Sequence, residues 1–273
     1  MKKFEGILIA TDLDGTLLRK DKSVSEENKK AIEYFKENGG YFTVITGRPM
    51  AVNRAICEEV NPNAPIGCLN GGGIYDLQKK EYLWKRPLEK EALELLEHVD
   101  KNIPDMSIQV CGFEDNYFCK MNDSMERHLQ NAGFKDIRCH YSEVPEAWAK
   151  VLFAHTEEEK LFTLRDLLES HPMAQHFGFI RSEQEFYEIL PKGISKGDLV
   201  LRIADILGID RNHTVAIGDH DNDVSMISMA GLGVAVANAS ESAKNAADII
   251  TVSNEEHAIA QLIYDIEKGL IEI

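Results

Sequence analysis

Short apolar strands alternate with helices in the first part of the chain, and this order most restricts what the chain can fold into. Apolar stretches begin at Ile7, Tyr41 and Ile66, with helical patterns between them. Apolar strands that alternate with helices are typical of a parallel sheet covered on both faces. Because crossovers are right-handed, the carboxyl ends of such strands meet along one edge, where open α/β sheets bind ligands.

The first strand ends in two carboxylates. Asp12 and Asp14 follow the apolar residues 7–10 and precede Gly15 and Thr16. At a spacing of two residues along a strand, both side chains point to one face. Two carboxylates this close repel each other, and their burial is costly unless a cation or a proton lies between them. The stretch therefore indicates a metal-binding active site, with an acidic turn after an edge strand as the alternative.

Three later stretches supply further polar groups at the same edge of the sheet. Thr46 and Gly47 end the second strand with a hydroxyl and a backbone N–H, and both can donate to a phosphate oxygen. Lys196 begins a helix, where its ammonium adds to an N-terminus that already attracts anions. The acidic stretch 218–223 follows another strand. Each has an ordinary structural explanation, but their common position at strand ends predicts one pocket.

The middle of the chain has a different pattern. From about Pro87 to Leu190, helices and paired strands predict a largely antiparallel sheet, and the strand–helix order then returns. This predicts a discontinuous core domain at residues 1–84 and 191–273, with a cap domain inserted at residues 85–190. The predicted fold class is α/β, with a Rossmann-like, doubly wound, mainly parallel sheet core and an inserted α+β cap.

Two helix limits follow from local signals. The stretch from Ser23 to Glu26 has the spacing of a capping box, which predicts that the first helix begins there. The stretch from Glu255 to Lys268 predicts one closing helix. That helix would include His257.

Composition restricts the class of partner. The net charge is −16, and no basic cluster is present in the sequence, so binding to nucleic acid or to an anionic membrane is not expected. No apolar run approaches the ~20 residues of a membrane span. The first residues lack a signal-peptide pattern, and the five scattered cysteines favour free thiols. We therefore expect a cytoplasmic protein whose partner is a small molecule, and the pattern indicates no particular oligomeric state.

Together these stretches resemble the motifs of haloacid dehalogenase-like phosphatases. The four motifs of that family correspond in order to Asp12–Thr16, Thr46–Arg48, Lys196–Gly197 and Gly218–Asp223. Three further stretches are similar to the Cof-type branch, whose cap is an α/β domain: Asn70–Gly71, Phe186–Gly197 and Ala235–Ala239. The resemblance implies Mg²⁺-dependent hydrolysis of small phosphate monoesters, with sugar phosphates as the leading substrate class.

The resemblance also implies a role for each site residue. Asp12 is the nucleophile that becomes an aspartyl phosphate, and Asp14 acts first as acid and then as base. Asp12, the backbone carbonyl of Asp14 and Asp219 hold Mg²⁺, with Asp223 as a direct or water-mediated partner. The remaining donors bind the phosphoryl oxygens: the N–H groups of Leu13 and Gly47, and the side chains of Thr46, Lys196 and Asn222.

Two other functions stay open on the sequence alone. A phosphosugar mutase can share this core and cap. A phospho-accepting receiver domain has a similar acidic pocket, but its acids are adjacent and it carries no large insertion. Asp14 favours ester hydrolysis, because P-type ATPases have threonine at this position and dehalogenases lack the second aspartate.

Overall fold

The structure is a computed structural model that describes residues 2–273. These residues form two compact units. The first unit comprises residues 2–47, 55–84 and 195–273. The second comprises residues 48–54 and 85–194. The domain limits given above from the sequence stay a prediction.

The first unit is built on a five-stranded parallel sheet. Numbered in chain order through the whole molecule, its strands are β1 (Leu8–Thr11), β2 (Tyr41–Val44), β11 (Thr214–Gly218), β12 (Leu232–Ala235) and β13 (Ile249–Ile250). They lie in the order β13-β12-β11-β1-β2. Leu8 of β1 pairs with Thr214 on one side and Tyr41 on the other, and all four residues of β1 are buried. The strand that leads to Asp12 is thus held on both edges.

Helices and a small antiparallel sheet complete the first unit. Its helices are α1 (Glu26–Glu37), α6 (Lys196–Leu207), α7 (Val224–Met229), α8 (Glu241–Ala246) and α9 (Ala258–Glu267), and α2 (Met50–Val60) begins in the second unit. The antiparallel sheet consists of β3 (Ile66–Cys68), β4 (Gly73–Asp76) and β5 (Glu81–Lys85). A parallel bridge between Ile45 and Gly67 joins β3 to the end of β2. Apolar side chains of α6, including Leu199 and Ile203, pack with Leu8 and Ala10 of β1 in one buried cluster.

The second unit is a five-stranded antiparallel sheet with three helices. Its strands are β6 (Ser107–Gly112), β7 (Asn116–Lys120), β8 (Trp148–Ala154), β9 (Phe177–Glu183) and β10 (Phe186–Pro191), in the order β7-β6-β8-β10-β9. Its helices are α3 (Ala92–Asn102), α4 (Asp123–Ala132) and α5 (Glu158–Glu169). One apolar cluster joins one face of the sheet to α3 and α5, and a smaller cluster joins the other face to α4. A buried ion pair of Lys150 and Glu188, with an N···O distance of 2.8 Å, links β8 to β10.

Two predicted helix limits are wrong in detail. The N-cap of α1 is Ser25, whose hydroxyl accepts from the N–H of Asn28 at 3.2 Å. The hydroxyl and the N–H of Ser23 both donate to Oδ1 of Asp21 instead, so Ser23 belongs to the preceding turn. The predicted closing helix is interrupted at His257, which has the left-handed φ of 65° and separates a short 3₁₀ turn from α9.

The predicted fold class is confirmed, since a parallel α/β core is combined with an inserted antiparallel sheet. All five cysteines are free thiols, as the sequence predicts. None of the helices within residues 2–273 has both the length and the apolar character that crossing a membrane requires.

Candidate active site

The loop after β1 carries Asp12 and Asp14, and backbone contacts fix its path. The N–H of Asp12 donates to the carbonyl of Ile217 at 2.9 Å, so β11 holds the residue where β1 ends. Gly15 has a φ of +79°, which favours glycine, and a Cβ there would overlap the carboxylate of Asp219. The close turn therefore brings the first motif against the last one.

Lys196 joins two of the predicted site carboxylates. Its Nζ lies 2.5 Å from Oδ1 of Asp12 and 2.5 Å from Oδ1 of Asp223. Lys196 is 2% exposed, so the pairs are shielded from water. Burial alone would lower the pKa of Lys196, but Asp12 and Asp223 outweigh it and raise the pKa, so the side chain stays cationic. The first helical position of α6 thus places a fixed positive charge between the two acids.

Asp223 accepts hydrogen bonds on both of its carboxylate oxygens. Its Oδ1 accepts from Lys196, and its Oδ2 accepts the N–H groups of Asp219 and His220 at 2.9 and 3.0 Å. Asp223 is fully buried. Both oxygens are therefore engaged in holding the loop after β11, and this loop carries Asp219 with its carboxylate beside Gly15.

Asp12, Asp219 and Asp223 form the only group of three or more potential metal ligands found among residues 2–273. One ligand atom from each lies within 4.8 Å of the others. Burial raises the pKa of Asp12 well above its ordinary value, and the charges of Asp223, Asp219 and Asp14 add to this against the opposing effect of Lys196. Burial, with the charge of Asp223, raises the pKa of Asp219 to about 7, while a 2.8 Å hydrogen bond from Thr16 opposes the rise.

Three oxygen donors that repel one another suit a hard divalent cation, which prefers carboxylates and would relieve the repulsion. Asp12 and Asp219, with Asp223 beside them, therefore provide carboxylate oxygens that fit Mg²⁺.

The second-motif residues lie at the same edge. Thr46 follows the end of β2, is 1% exposed, and donates its N–H to the carbonyl of Gly67 at 2.9 Å. Gly47 lies against the carboxamide of Asn70, because a Cβ on Gly47 would be 2.7 Å from Oδ1 of Asn70. Asn222 donates from Nδ2 to the same Oδ1 at 3.1 Å. Asn70 thus lies between the second motif and Asn222 of the fourth.

Asp14 has a different environment from Asp12. Its Oδ1 accepts from Nζ of Lys22 at 2.8 Å, and both side chains are partly exposed. Leu13 between the two acids is fully buried and anchors the loop in the core. One carboxylate of the pair is therefore buried beside Lys196, while the other is partly open to solvent, and such unequal environments suit two carboxylates with different roles.

Three polar contacts of the site were not predicted from the sequence. These are the ion pair of Lys22 with Asp14, the bond from Asn222 to Asn70, and the bond from Nδ2 of Asn238 to the carbonyl of Gly15 at 2.8 Å. No sequence pattern indicates a role for Lys22 in the site, since it lies in a solvent-exposed turn at a left-handed φ of 64°. Asn70 and Asn238 both fall in stretches of the Cof-type resemblance, which was the available signal.

Comparisons with known proteins identify the family of the chain. Residues 9–263 match the family described as haloacid dehalogenase-like hydrolase. The chain is 30% identical over 267 residues to 5-amino-6-(5-phospho-D-ribitylamino)uracil phosphatase YitU of Bacillus subtilis, with 94% of this chain and 96% of that protein covered. A crystal structure of a haloacid dehalogenase-like hydrolase from Bacteroides thetaiotaomicron superposes with a TM-score of 0.83 at 28% identity, over 95% of this chain and 99% of that one.

A further solved structure supports the fold. The subclass IIB sugar phosphatase BT4131 superposes with a TM-score of 0.84 over 97% of this chain and all of that one. At 22% identity, this likeness concerns the fold alone.

Proposed function

Because the chain belongs to the haloacid dehalogenase-like hydrolases and is a phosphatase of that family, we propose that it hydrolyses small organic phosphate monoesters with Mg²⁺, through a phosphorylated Asp12. The observation that carries the proposal is the buried cluster of Asp12, Lys196 and Asp223 beside Asp219 at the carboxyl edge of the parallel sheet. Burying two acids around one lysine, with the half-buried Asp219 beside them, is costly for stability, and such cost is typical of functional sites.

In the first half of the reaction, a carboxylate oxygen of Asp12 attacks phosphorus. The bond from phosphorus to the ester oxygen breaks, and that oxygen leaves with its electron pair and takes a proton from the carboxyl of Asp14. Lys196 favours the ionised form of Asp12 and holds the carboxylate in place, since its ammonium lies 2.5 Å from Oδ1. The products of this half are the free alcohol and an acyl phosphate on Asp12.

In the second half, Asp14 removes a proton from water as the water oxygen attacks the same phosphorus. The bond to Asp12 breaks, and inorganic phosphate and the Asp12 carboxylate are regenerated. Asp14 thereby regains the proton that it gave to the leaving oxygen, so the two halves need no proton from solvent. The N–H groups of Leu13 and Gly47, with Thr46, Asn222 and Lys196, bind the phosphoryl oxygens, which gain charge in the transition state.

The acids that would hold Mg²⁺ are Asp12 and Asp219, together with the carbonyl of Asp14. When bound, the ion supplies positive charge to the phosphoryl oxygens and lets the dianionic ester approach the carboxylate nucleophile. Asp223 would not be a direct ligand, because both of its oxygens already accept hydrogen bonds from Lys196 and from backbone N–H groups. We propose that it would contact a bound ion through water.

For the substrate class we propose phosphorylated sugars and sugar alcohols. The relative YitU is named for a substrate in which a phosphorylated ribityl chain is joined to a uracil. The similarity to this relative covers nearly the whole of the present chain. We therefore propose that this protein, too, acts on a phosphorylated polyhydroxyl compound.

The test is a phosphate-release screen with Mg²⁺ over hexose phosphates, pentose phosphates, polyol phosphates and nucleotides. We expect turnover of sugar or polyol phosphates, and loss of at least about 10³-fold in Asp12→Ala, since removing a nucleophile leaves only residual catalysis. The matched control is Asp205→Ala, which removes an exposed acid on α6. Background release by both wild type and Asp12→Ala would contradict the proposal.

A further inference from the structure

Asn70 lies in a backbone conformation that is rare for residues other than glycine. Leu69 and Asn70 have left-handed φ values of 60° and 52°, and Gly71 follows with 120°. Two successive non-glycine residues in this region cost free energy, and such strain persists only where the surroundings impose it. Asn70 is 2% exposed, so the strained turn is buried.

The strained turn touches the loops that carry three of the site motifs. The N–H of Asn70 donates to the carbonyl of Thr46 at 3.2 Å. Its Oδ1 accepts from Nδ2 of Asn222 at 3.1 Å. A Cβ on Gly71 would lie 2.8 Å from the backbone nitrogen of Ser195, the N-cap residue that precedes Lys196. These contacts explain how the surrounding loops hold the turn in its strained conformation.

We propose that Asn70 is a positioning residue of the phosphoryl site, acting through Asn222 and Gly47. This rests on the phosphate-binding roles proposed for those two residues. A primary carboxamide has two N–H groups, so the bond to Asn70 fixes the amide plane of Asn222 and leaves the other N–H for a phosphoryl oxygen. The Asn70 carboxamide also packs against Gly47, and this contact holds the Gly47 N–H in one orientation.

The expected loss on removing the carboxamide follows from geometry. An oxyanion donor works only when it is aligned before the reaction, and small misplacements of positioning groups cost about 10²-fold in rate. Because the donors act on charge that develops in the transition state, the loss falls mainly on kcat rather than on KM.

Asn70→Gly is the sharpest test. Glycine adopts the left-handed conformation more easily than asparagine, so the backbone turn is kept while the carboxamide is lost. The matched control is Asn61→Gly, since Asn61 is an exposed asparagine in the same unit with a φ of 51°. We expect kcat to fall about 10- to 100-fold in Asn70→Gly, with little change in the thermal midpoint and none of this loss in Asn61→Gly.

A double-variant cycle separates positioning from simple structural support. If Asn70 acts through Asn222, most of its effect disappears when Asn222→Ala is already present, so the double variant falls only about threefold below Asn222→Ala. Fully additive losses, or an Asn70→Gly variant with the kcat of wild type, would overturn the inference.

A binding measurement keeps this test apart from the phosphatase proposal. Orthovanadate, which adopts the five-coordinate geometry of the transition state, is titrated calorimetrically into the full chain with Mg²⁺, and this needs no turnover. We expect weaker vanadate binding by Asn70→Gly and Asn222→Ala than by wild type and Asn61→Gly. Equal affinities in all four proteins would overturn the role of Asn70, whereas absence of turnover in wild type would count against the proposed function.

Discussion

At the scale of single residues, the two acids of the first motif differ in burial, and this difference separates their proposed roles. Asp12 lies beside the buried ammonium of Lys196, whereas Asp14 pairs with the exposed Lys22. Asp14→Asn therefore removes the acid and base while leaving the nucleophile in place.

For this variant we expect accumulation of an acyl phosphate on Asp12 from an aryl phosphate, since an aryl leaving group needs little protonation and only the second step is blocked. Acid-quenched protein is digested, and the phosphorylated peptide is located by mass spectrometry. In Asp12→Asn the same peptide should carry no phosphate. Label on any other residue would contradict the assignment.

As a proposed Mg²⁺ ligand, Asp219 should make metal binding depend on pH. Burial and the charge of Asp223 raise its pKa from 3.8 to about 7, so below pH 7 a proton competes with the cation for this carboxylate. We expect Mg²⁺ affinity to fall by up to about tenfold per pH unit below 7, measured by calorimetry between pH 6 and pH 8. Equal affinity at both limits would contradict this.

Thr16→Val supplies the matched variant for the same experiment. The hydroxyl of Thr16 stabilises the ionised form of Asp219. Its loss should raise the pKa of Asp219 and displace the Mg²⁺ profile to higher pH. Folding without metal has the opposite pH dependence. The folded state holds the proton more tightly than the unfolded state between pH 3.8 and about 7, so this residue's contribution to stability falls as pH rises through that range.

At the scale of elements, α1 shows how a sequence rule selects the wrong residue. Ser23 and Ser25 are both plausible N-caps, and the spacing of Ser23 to Glu26 favours the first. In the structure Asp21 engages Ser23, which leaves Ser25 to cap the helix. The rule scores residue types at fixed spacing, and it does not account for a competing acceptor two residues upstream.

Ser25→Ala should therefore lower the free energy of unfolding by about 1 kcal/mol, the usual value of an N-cap hydroxyl. Ser23→Ala is the control, with a smaller loss because its bonds to Asp21 are exposed. Urea unfolding of both variants measures the two losses in stability. A larger loss from Ser23→Ala would contradict the assignment of Ser25 as the N-cap and favour the predicted capping box.

The turn between β6 and β7 depends on one carboxylate. Glu146 accepts the N–H groups of Phe113, Glu114 and Asp115 and the hydroxyl of Tyr117. Glu146→Ala leaves these donors without their acceptor, and we expect a loss of about 3 kcal/mol in stability of the second unit. Glu146→Gln keeps one acceptor oxygen and should lose less. Unfolding is followed by the fluorescence of Trp148, and an unchanged midpoint for Glu146→Ala would contradict this role.

At the scale of the molecule, each unit contains one of the two tryptophans, Trp84 in the first and Trp148 in the second. All proposed Mg²⁺ ligands belong to the first unit. Since a ligand stabilises the part of a protein that binds it, we expect Mg²⁺ to raise the urea midpoint reported by Trp84 more than the midpoint reported by Trp148. Single-tryptophan variants measure the two signals, and equal shifts would show that the units unfold as one.

The architecture of both units could be predicted because it depends on strand and helix periods, which the sequence states directly. The second unit contains the helices and the antiparallel sheet that the pattern between Pro87 and Leu190 predicts. The break at His257 was not predicted, because a left-handed residue inside an apolar helical pattern has no periodic signal. At the site, Asp12 and Lys196 follow from strand and helix ends, but the bond of Asn70 to Asn222 joins residues 152 positions apart, and no local pattern specifies it.

The order of strands in the core has a consequence for biosynthesis. β1 leaves the ribosome long before one of its two neighbours, β11, which begins at Thr214. Until that segment emerges, one edge of β1 has no partner, and Asp219, which follows β11, is not available to the proposed nucleophile. The second unit has its own sheet and apolar clusters, so it can fold during this interval, since domains generally fold as units during synthesis. A nascent chain thus gains the proposed chemistry only after Asp219 has been synthesised.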